Sequence, residues 1–313
     1  MRYILRKLAV LVVTLLLVSI VAFLAFQIIP ADPTAKILGT SATPEKVAAL
    51  REELGLNGSV ISRYFRWLGG FVTGDPGVSY NYRCPVSELL ADKLPVTAGL
   101  SILSFLLVIV ISIPVGMRLA WRAGSVVDRI FSTLNQIVMS VPPFFIGILF
   151  TYLFGLVLKW FTPGNFVAAS ESFWGYWGYL FFPALAIALP KSTMVIKLLR
   201  GNLLNEYGKD YARTAYSRGN STSGVMRRHL LRNAMLSVVT FLAFTLADIV
   251  AGSIIIEQVF GIPGLGRLLL SAIGNRDYPV VQAIVVILAC IVMVVNTLAD
   301  IVNQFLDPRL RLN

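Results

Sequence analysis

Histidine and cysteine are nearly missing from this chain. His229 stands alone, and the two cysteines are Cys84 and Cys290. One imidazole cannot build a metal cage. Cys84 lies in a hydrophilic stretch and Cys290 inside an apolar run, so no disulfide framework follows and no zinc spacing appears. The sequences G-x-x-x-x-G-K-[ST], H-E-x-x-H and G-x-S-x-G are also missing. That removes P-loop nucleotide binding, zincin proteolysis and the hydrolase nucleophile elbow. Charge is scarce as well: 14% of the 313 residues are Asp, Glu, Lys or Arg, against about 25% in a soluble domain. No nucleophile–base pair or metal set is visible, so the chain is expected to catalyse nothing itself.

What is present is apolar length. Hydrophobic residues make up 57% of the chain, and a bilayer core of about 30 Å takes about 20 of them as a helix. Six stretches qualify: Leu8–Ile29, about Val96–Ala120, about Ile130–Trp160, about Tyr176–Leu199, Met235–Ile256 and Val281–Leu306. The third is interrupted by Pro142 and Pro143 and can be read as two pieces. The reading is an all-α integral membrane protein of about six transmembrane helices. The first run is longer than a signal-peptide core and lacks a clear small-x-small site, so it is expected to be retained.

The net charge of +11 is not a nucleic-acid signal, because its distribution follows the membrane. Arg2, Arg6, Lys7, Arg118, Arg122, Arg129, Lys191, Lys197, Arg200, the basic residues from Lys209 to Arg232, Arg309 and Arg311 fall on one side. Lys159, Arg267 and Arg276 fall in short loops on the other. Basic short loops face the cytoplasm, which puts both termini there. The long outer loop, about residues 30–95, holds seven basic and seven acidic residues. In it "TPEKVAALREELGLNG", "SRYFRWLGGFVTG" and "PVSELLADKL" read as short helices, the first capped by Thr43 and stopped by Gly55. Such a cap either docks a partner or covers the bundle.

Few groups at membrane depth carry chemistry. Asp248 and Asp300 lie in the last two spans, with Glu257 at the outer end of the fifth. A buried acid faces a cavity or a partner because lipid cannot solvate it. For Asp248 a water-lined path and a structural contact stand equal; for Asp300 a basic neighbour is the better reading. Pro114, Pro142, Pro143, Pro183 and Pro190 suggest spans that bend around a path. In "GSIIIEQVFGIPGLGRLLLSAIGNRDYPVVQA", Gly252–Ala283, a turn at Gly261, Pro263, Gly264 and Gly266 precedes a helix too short to cross, with Arg267 in its first turn. It reads as a gate or a plug at the outer mouth. "GKDYARTAYSRGNSTSGVMRRHLLRNA", Gly208–Ala234, reads as helix, glycine, helix. Tyr211, Ala212, Ala215 and Tyr216 form a small apolar face beside the Gly219 turn. A loop held at anionic lipid needs only its charge; the apolar face suggests a seat in a protein groove.

Over nearly its whole length the sequence resembles the inner-membrane permease subunits of bacterial ABC importers, the branch that takes up di- and oligopeptides, nickel and related chelates. The resemblance rests on "LRKLAVLVVTLLLVSIVAFLAFQIIPADPTA", "ATPEKVAALREELGL", "RYFRWLGGFVTGDPGVSY", "PVSELLADKLPVT", "MSVPPFFIGILF", "FPALAIALP", the Gly252–Ala283 stretch and "NTLADIVNQFLDPRLR". It implies a type I importer permease fold: one transmembrane domain over residues 1–313, with a helical extracytoplasmic cap, a five-span core over 96–306 and a cytoplasmic coupling loop at 200–234. Arg213-Thr214-Ala215 and Gly219 fit the family's coupling loop, though Arg213 stands where the broad family has glutamate. The resemblance makes Asp210, Tyr211, Arg213, Thr214, Ala215 and Gly219 the contact to an ATPase. Asp248, Glu257, Pro263, Gly264, Gly266 and Arg267 become candidates for the outer gate and path. It implies a second homologous permease, two ATPase subunits holding ATP and Mg, an extracytoplasmic binding protein, and no cofactor in this chain. Peptides are the expected substrate, with nickel or a metal chelate as the alternative. A secondary transporter or channel is the rival of another class; it wants coupling charges at mid-membrane and internal repeats.

Overall fold

The computed structural model describes residues 2–28, 34, 38, 43–53 and 58–306. The expected stop at Gly55 and the basic pair Arg309 and Arg311 lie outside the described residues. Eleven helices are used below: α1 (Arg2–Ile28), α2 (Pro44–Glu53), α3 (Val60–Thr73), α4 (Val86–Trp121), α5 (Val126–Ser140), α6 (Pro143–Phe150, continued as a π-helix over Thr151–Val157), α7 (Phe173–Tyr207), α8 (Asp210–Ser217), α9 (Thr222–Phe260), α10 (Leu265–Gly274) and α11 (Tyr278–Leu306). Among the described residues the only extended pairing is the isolated bridge Val78–Pro85. Among the described residues five helices are long and apolar enough to cross a membrane, Leu5–Ala25 within α1, α4, α7, α9 and Tyr278–Val302 within α11, or six if the bent pair α5 and α6 is one span.

The expected third span departs from a single helix. Its halves, α5 and α6, meet at 98°. The reason is the proline pair. Pro143 clashes with helical backbone at the residue before it, and Pro142 is accordingly extended at φ −62°, ψ 142°. Pro143 then starts the next helix, where its missing N–H costs nothing. The other span prolines do less than expected. Pro114 sits inside α4, and Pro183 and Pro190 sit inside α7, without ending either helix. "PVSELLADKL" is likewise no separate cap helix: it forms the first turns of α4, which carries Pro95 on its exposed side.

The chain divides into two compact units, Met1–Thr97 with Pro263–Met293, and Ala98–Ile262 with Val294–Asn313. In the first unit, α3 is capped by Ser59, whose hydroxyl accepts from the Ser62 amide at 3.3 Å, and ends at left-handed Gly74. One face of α3 lies on α1. Tyr64 and Ser19 share a hydrogen bond of 2.8 Å, and the Phe23 ring meets Tyr64 at 5.5 Å and Trp67 at 5.7 Å. Aromatic contacts of this kind add about 0.5–1.5 kcal/mol each beyond area burial.

In the second unit, α5 is tied to α7 by a buried ion pair. The Arg200 fork donates from Nε and Nη2 to the two Asp128 oxygens, both at 2.8 Å, and the Gly124 amide donates to Asp128 Oδ2 at 2.9 Å. Asp128 is 3% exposed. Close approach of α4 to α7 depends on Gly116, where an added Cβ would stand 3.0 Å from Leu199 Cδ2. Arg200→Ala is expected to destabilise the chain by about 3–5 kcal/mol, because it leaves a buried carboxylate unpaired. Arg200→Lys restores only part, since ammonium cannot fork. Thermal unfolding in detergent checks both; an Arg200→Ala midpoint equal to wild type overturns the pairing.

Candidate functional site

An antiparallel seam between α7 and α9 carries three polar rungs. Tyr179 donates its hydroxyl proton to the Phe260 carbonyl at 2.5 Å. Lys191 pairs with Asp248. Asn202 donates to Ser237 Oγ at 2.7 Å and to the Ala234 carbonyl at 3.2 Å. The rungs are 11 or 12 residues apart on both helices. Eleven residues are about three turns at 3.6 residues each, so the Lys191–Asp248 and Asn202–Ser237 rungs share a face, and the Tyr179 rung, 12 residues on, closes on a backbone carbonyl at the end of α9.

Lys191 and Lys197, counted with the basic residues of one side, lie within α7, inside the expected Tyr176–Leu199 span. Of the two readings of Asp248, the structural contact is present, to Lys191 on the facing helix. The ion pair lies about 18 Å along the helices from the Tyr179–Phe260 rung, 12 residues at 1.5 Å each, and both its members belong to helices long and apolar enough to cross a membrane. Lys191 is largely covered, yet the Asp248 side chain is 61% exposed. Glu257 is fully buried. Nine residues from Asp248 to Glu257 are two and a half turns, so these two acids face opposite sides of α9 and do not form one coupling pair.

Between α7 and α9 lies the elbow. Ala212 and Ala215 are buried, so the apolar face is spent on packing within the chain. Tyr211 is half-buried and donates to Glu206 Oε2 at 2.5 Å, and Tyr216 packs edge-on against Tyr207 at 5.8 Å. Burial, then the bond to Glu206, raises the Tyr211 hydroxyl. Burial, with Tyr207 adding to it, pushes Tyr216 up to about 12; both phenols stay protonated at neutral pH. The outward side is polar: Asp210 and Arg213 have side chains 99% and 77% exposed, 3.9 Å apart, and Thr214 and Ser217 join them. The face that this helix turns outward is thus polar, and its apolar face is buried within the chain. Gly219 turns the chain with φ +80°. Asn220 donates to the Ala215 carbonyl at 2.9 Å, closing the end of α8, and Ser221 Oγ accepts from Gly224 N at 3.2 Å to open α9. Next comes a π-helical stretch, Met226–Leu230, holding exposed His229.

The outer candidates fall in separate places. Asp248 and Glu257 are on α9. Pro263, Gly264, Gly266 and Arg267 lie together at the start of α10, with Gly264 and Gly266 buried and Arg267 exposed. The Leu265 amide donates to Thr97 Oγ1 at 2.8 Å. The organising acid of this region is one the sequence did not single out. Asp277 is fully buried. It accepts from Ser79 Oγ at 2.5 Å, Tyr80 N at 3.0 Å and Asn81 N at 3.1 Å, so it shapes the turn before α4. Burial, then the Asp277 carboxylate, pushes the Tyr80 hydroxyl up to about 12.

Residues 112–312 match the family described as "Binding-protein-dependent transport system inner membrane component". Residues 1–101 match the family described as "Binding-prot-dependent transport system membrane comp, N-term". The chain is 33% identical over 309 residues to a probable peptide ABC transporter permease protein, y4tP, of Sinorhizobium fredii, covering 99% of each. It is 33% identical over 311 residues to the oligopeptide transport system permease protein AppB of Bacillus subtilis, covering 98% of each. It is 32% identical over 311 residues to the glutathione transport system permease protein GsiC of Salmonella paratyphi A, covering 99% of each.

Asp277→Ala orphans two amides and a hydroxyl in a buried turn, so a loss of about 3 kcal/mol is expected. It should appear as a lowered unfolding midpoint and as faster thiol labelling of Cys84, whose carbonyl accepts from Ser79 N at 3.0 Å in the same turn. Unchanged labelling and an unchanged midpoint would count against this role.

Proposed function

The chain belongs to the family of binding-protein-dependent transport system inner membrane components, and from that membership we propose that it is one half of the membrane path of an ATP-driven peptide importer. The relatives' names supply the substrate class: peptide, oligopeptide and glutathione. Nickel is the weaker reading. Among the described residues no three His, Cys, Asp or Glu side chains stand together to hold a metal ion.

The observation that carries the proposal is the Lys191–Asp248 pair. A carboxylate at membrane depth, open on one side, is not solvated by lipid. The open face of α9 therefore belongs to a water-filled path or to a second permease. A secondary transporter would use such a charge to couple an ion. The elbow favours ATP instead: it is a short, polar-faced helix on a glycine turn, suited to receive a push from a separate subunit. In this reading the partners are a second homologous permease, two ATPases that bind ATP and Mg, and an extracytoplasmic binding protein. The basic residues at the elbow end put that end, and both termini, in the cytoplasm. Asp210, Arg213 and Thr214 touch the ATPase; Tyr211 and Ala215 hold the elbow to its own bundle, and Gly219 sets its turn.

Transmission then runs through a rigid piece. The elbow's inner face is packed and Asn220 closes its C-terminal end, so a displacement at Asp210 and Arg213 reaches α7 and α9 directly. ATP hydrolysis stays with the partner subunits, and this chain contributes the path.

Gentle extraction of the tagged chain from its native membrane, with mass spectrometry of what accompanies it, tests the class. A second permease and P-loop ATPases at fixed ratio are expected; the chain alone, transporting after reconstitution without ATP, would overturn it. At Gly219 an added Cβ meets nothing within 4 Å, so only the positive φ constrains the position. Gly219→Asn, which tolerates that φ, should keep most uptake. Gly219→Pro cannot adopt it and should abolish uptake while the chain stays in the membrane. Normal uptake by the proline variant would refute the elbow's role.

A further inference from the structure

We propose that a cavity at the base of the elbow, between the end of α4 and the start of α9, binds one anionic phospholipid. The cavity is about 470 Å³, within the roughly 300–1,000 Å³ of small-molecule sites. Arg118 and Trp121 contribute from the last turn of α4, and Ser223, Met226 and Arg227 from the first turns of α9, with Met117 on the apolar wall.

Three features select the ligand. Arg118 and Arg227 are both exposed into this space. Among the described residues neither side chain makes an ion pair or hydrogen bond, whereas Lys191, Arg200 and Lys209 are spent on Asp248, Asp128 and Glu206. Two guanidiniums at one opening match a phosphodiester, which each can grip with parallel donors. Apart from Ser223 the rest of the wall is apolar, which free phosphate leaves unused and acyl chains fill. Trp121 ends a helix long enough to cross a membrane, the level at which indole rings sit among headgroups. Basic pockets between transmembrane helices on the cytoplasmic side hold anionic headgroups by this chemistry.

The site goes beyond peptide transport and does not depend on it. A lipid there joins α4 to the π-helical start of α9, just behind Gly219. π-Bulges mark places where helix register is adjustable, so occupancy would steady the elbow's exit.

The test uses the full chain with its co-purifying subunits in mild detergent, titrated with phosphatidylglycerol or phosphatidylcholine and read by native mass spectrometry. One saturable phosphatidylglycerol adduct is expected. The double variant Arg118→Gln/Arg227→Gln should weaken it about thirty-fold, at about a factor of five per arginine. Arg122→Gln, one residue past α4, should leave it unchanged. Independently, phosphatidylglycerol with brominated acyl chains should quench Trp121, and Trp121→Phe should remove that share of the quenching while folding normally. Equal binding of phosphatidylcholine, undiminished binding by the double variant, or quenching indifferent to Trp121→Phe would overturn the proposal. So would displacement of the lipid by millimolar inorganic phosphate, which would make the site one for a free anion. Binding by the isolated chain but not by the assembled complex would assign the face to a protein partner and overturn it as well.

Discussion

The seam between α7 and α9 is the constraint on which the second unit depends. A hydroxyl, an ion pair and an amide tie the facing helices at intervals of 11 or 12 residues, and each fixes the same register. A slide by one turn, about 5.4 Å, would break all three at once. It would leave the largely covered Lys191 ammonium without its partner, a cost of several kcal/mol. The elbow is the connection between these two helices, so the register also fixes where the elbow projects. At 35 and 39 residues, α7 and α9 are about 50–60 Å long, far more than a bilayer needs.

Three aspartates show how a chain this apolar accommodates acids within its fold. Asp128 is gripped by the Arg200 fork and a backbone amide. Asp277 is held by two amides and a hydroxyl, as an anion held by the polypeptide itself. Asp248 has a lysine on one side and open space on the other. The first two are closed and read as structural, because nothing further can approach the carboxylate. The third is the exception, and it is where the chain needs water or a partner to complete it.

Much of this was legible. Apolar length located the crossing helices, and the Pro142–Pro143 pair marked the place where the third run breaks. Gly219 and the Gly261–Gly266 turn were found because a positive φ, or a turn before a helix, has a composition signature. The side chains facing each other across distant segments left no such mark. Lys191 was counted by its charge with the basic residues of one side, although it directly follows Pro190 inside the expected fourth span, and nothing local paired it with Asp248. Asp277 pairs with residues almost 200 positions away, and no local pattern encodes that. Asp128 did leave a signal: Ser125-x-x-Asp128 is a helix-start pattern, and Ser125 does cap α5, accepting from the Asp128 amide at 3.2 Å. The elbow's apolar face was found correctly, but periodicity alone does not say whether a face meets a partner or its own bundle.

That last distinction bears on how force would pass through the molecule. Had Ala212 and Ala215 faced outward, a partner would grip the elbow by apolar contact, and the elbow would be free to hinge on its own helices. With both alanines buried, the elbow is welded to the chain and offers only Asp210, Arg213, Thr214 and Ser217 outward. Exposed polar contacts of this kind are individually weak and sensitive to salt. In the proposed importer, they suit an interface that must be remade in every cycle. The strong contacts lie within the chain, where they keep α7 and α9 in register, and the weak ones lie at the surface. Displacing the elbow therefore displaces the seam as a unit, and with it the open face at Asp248.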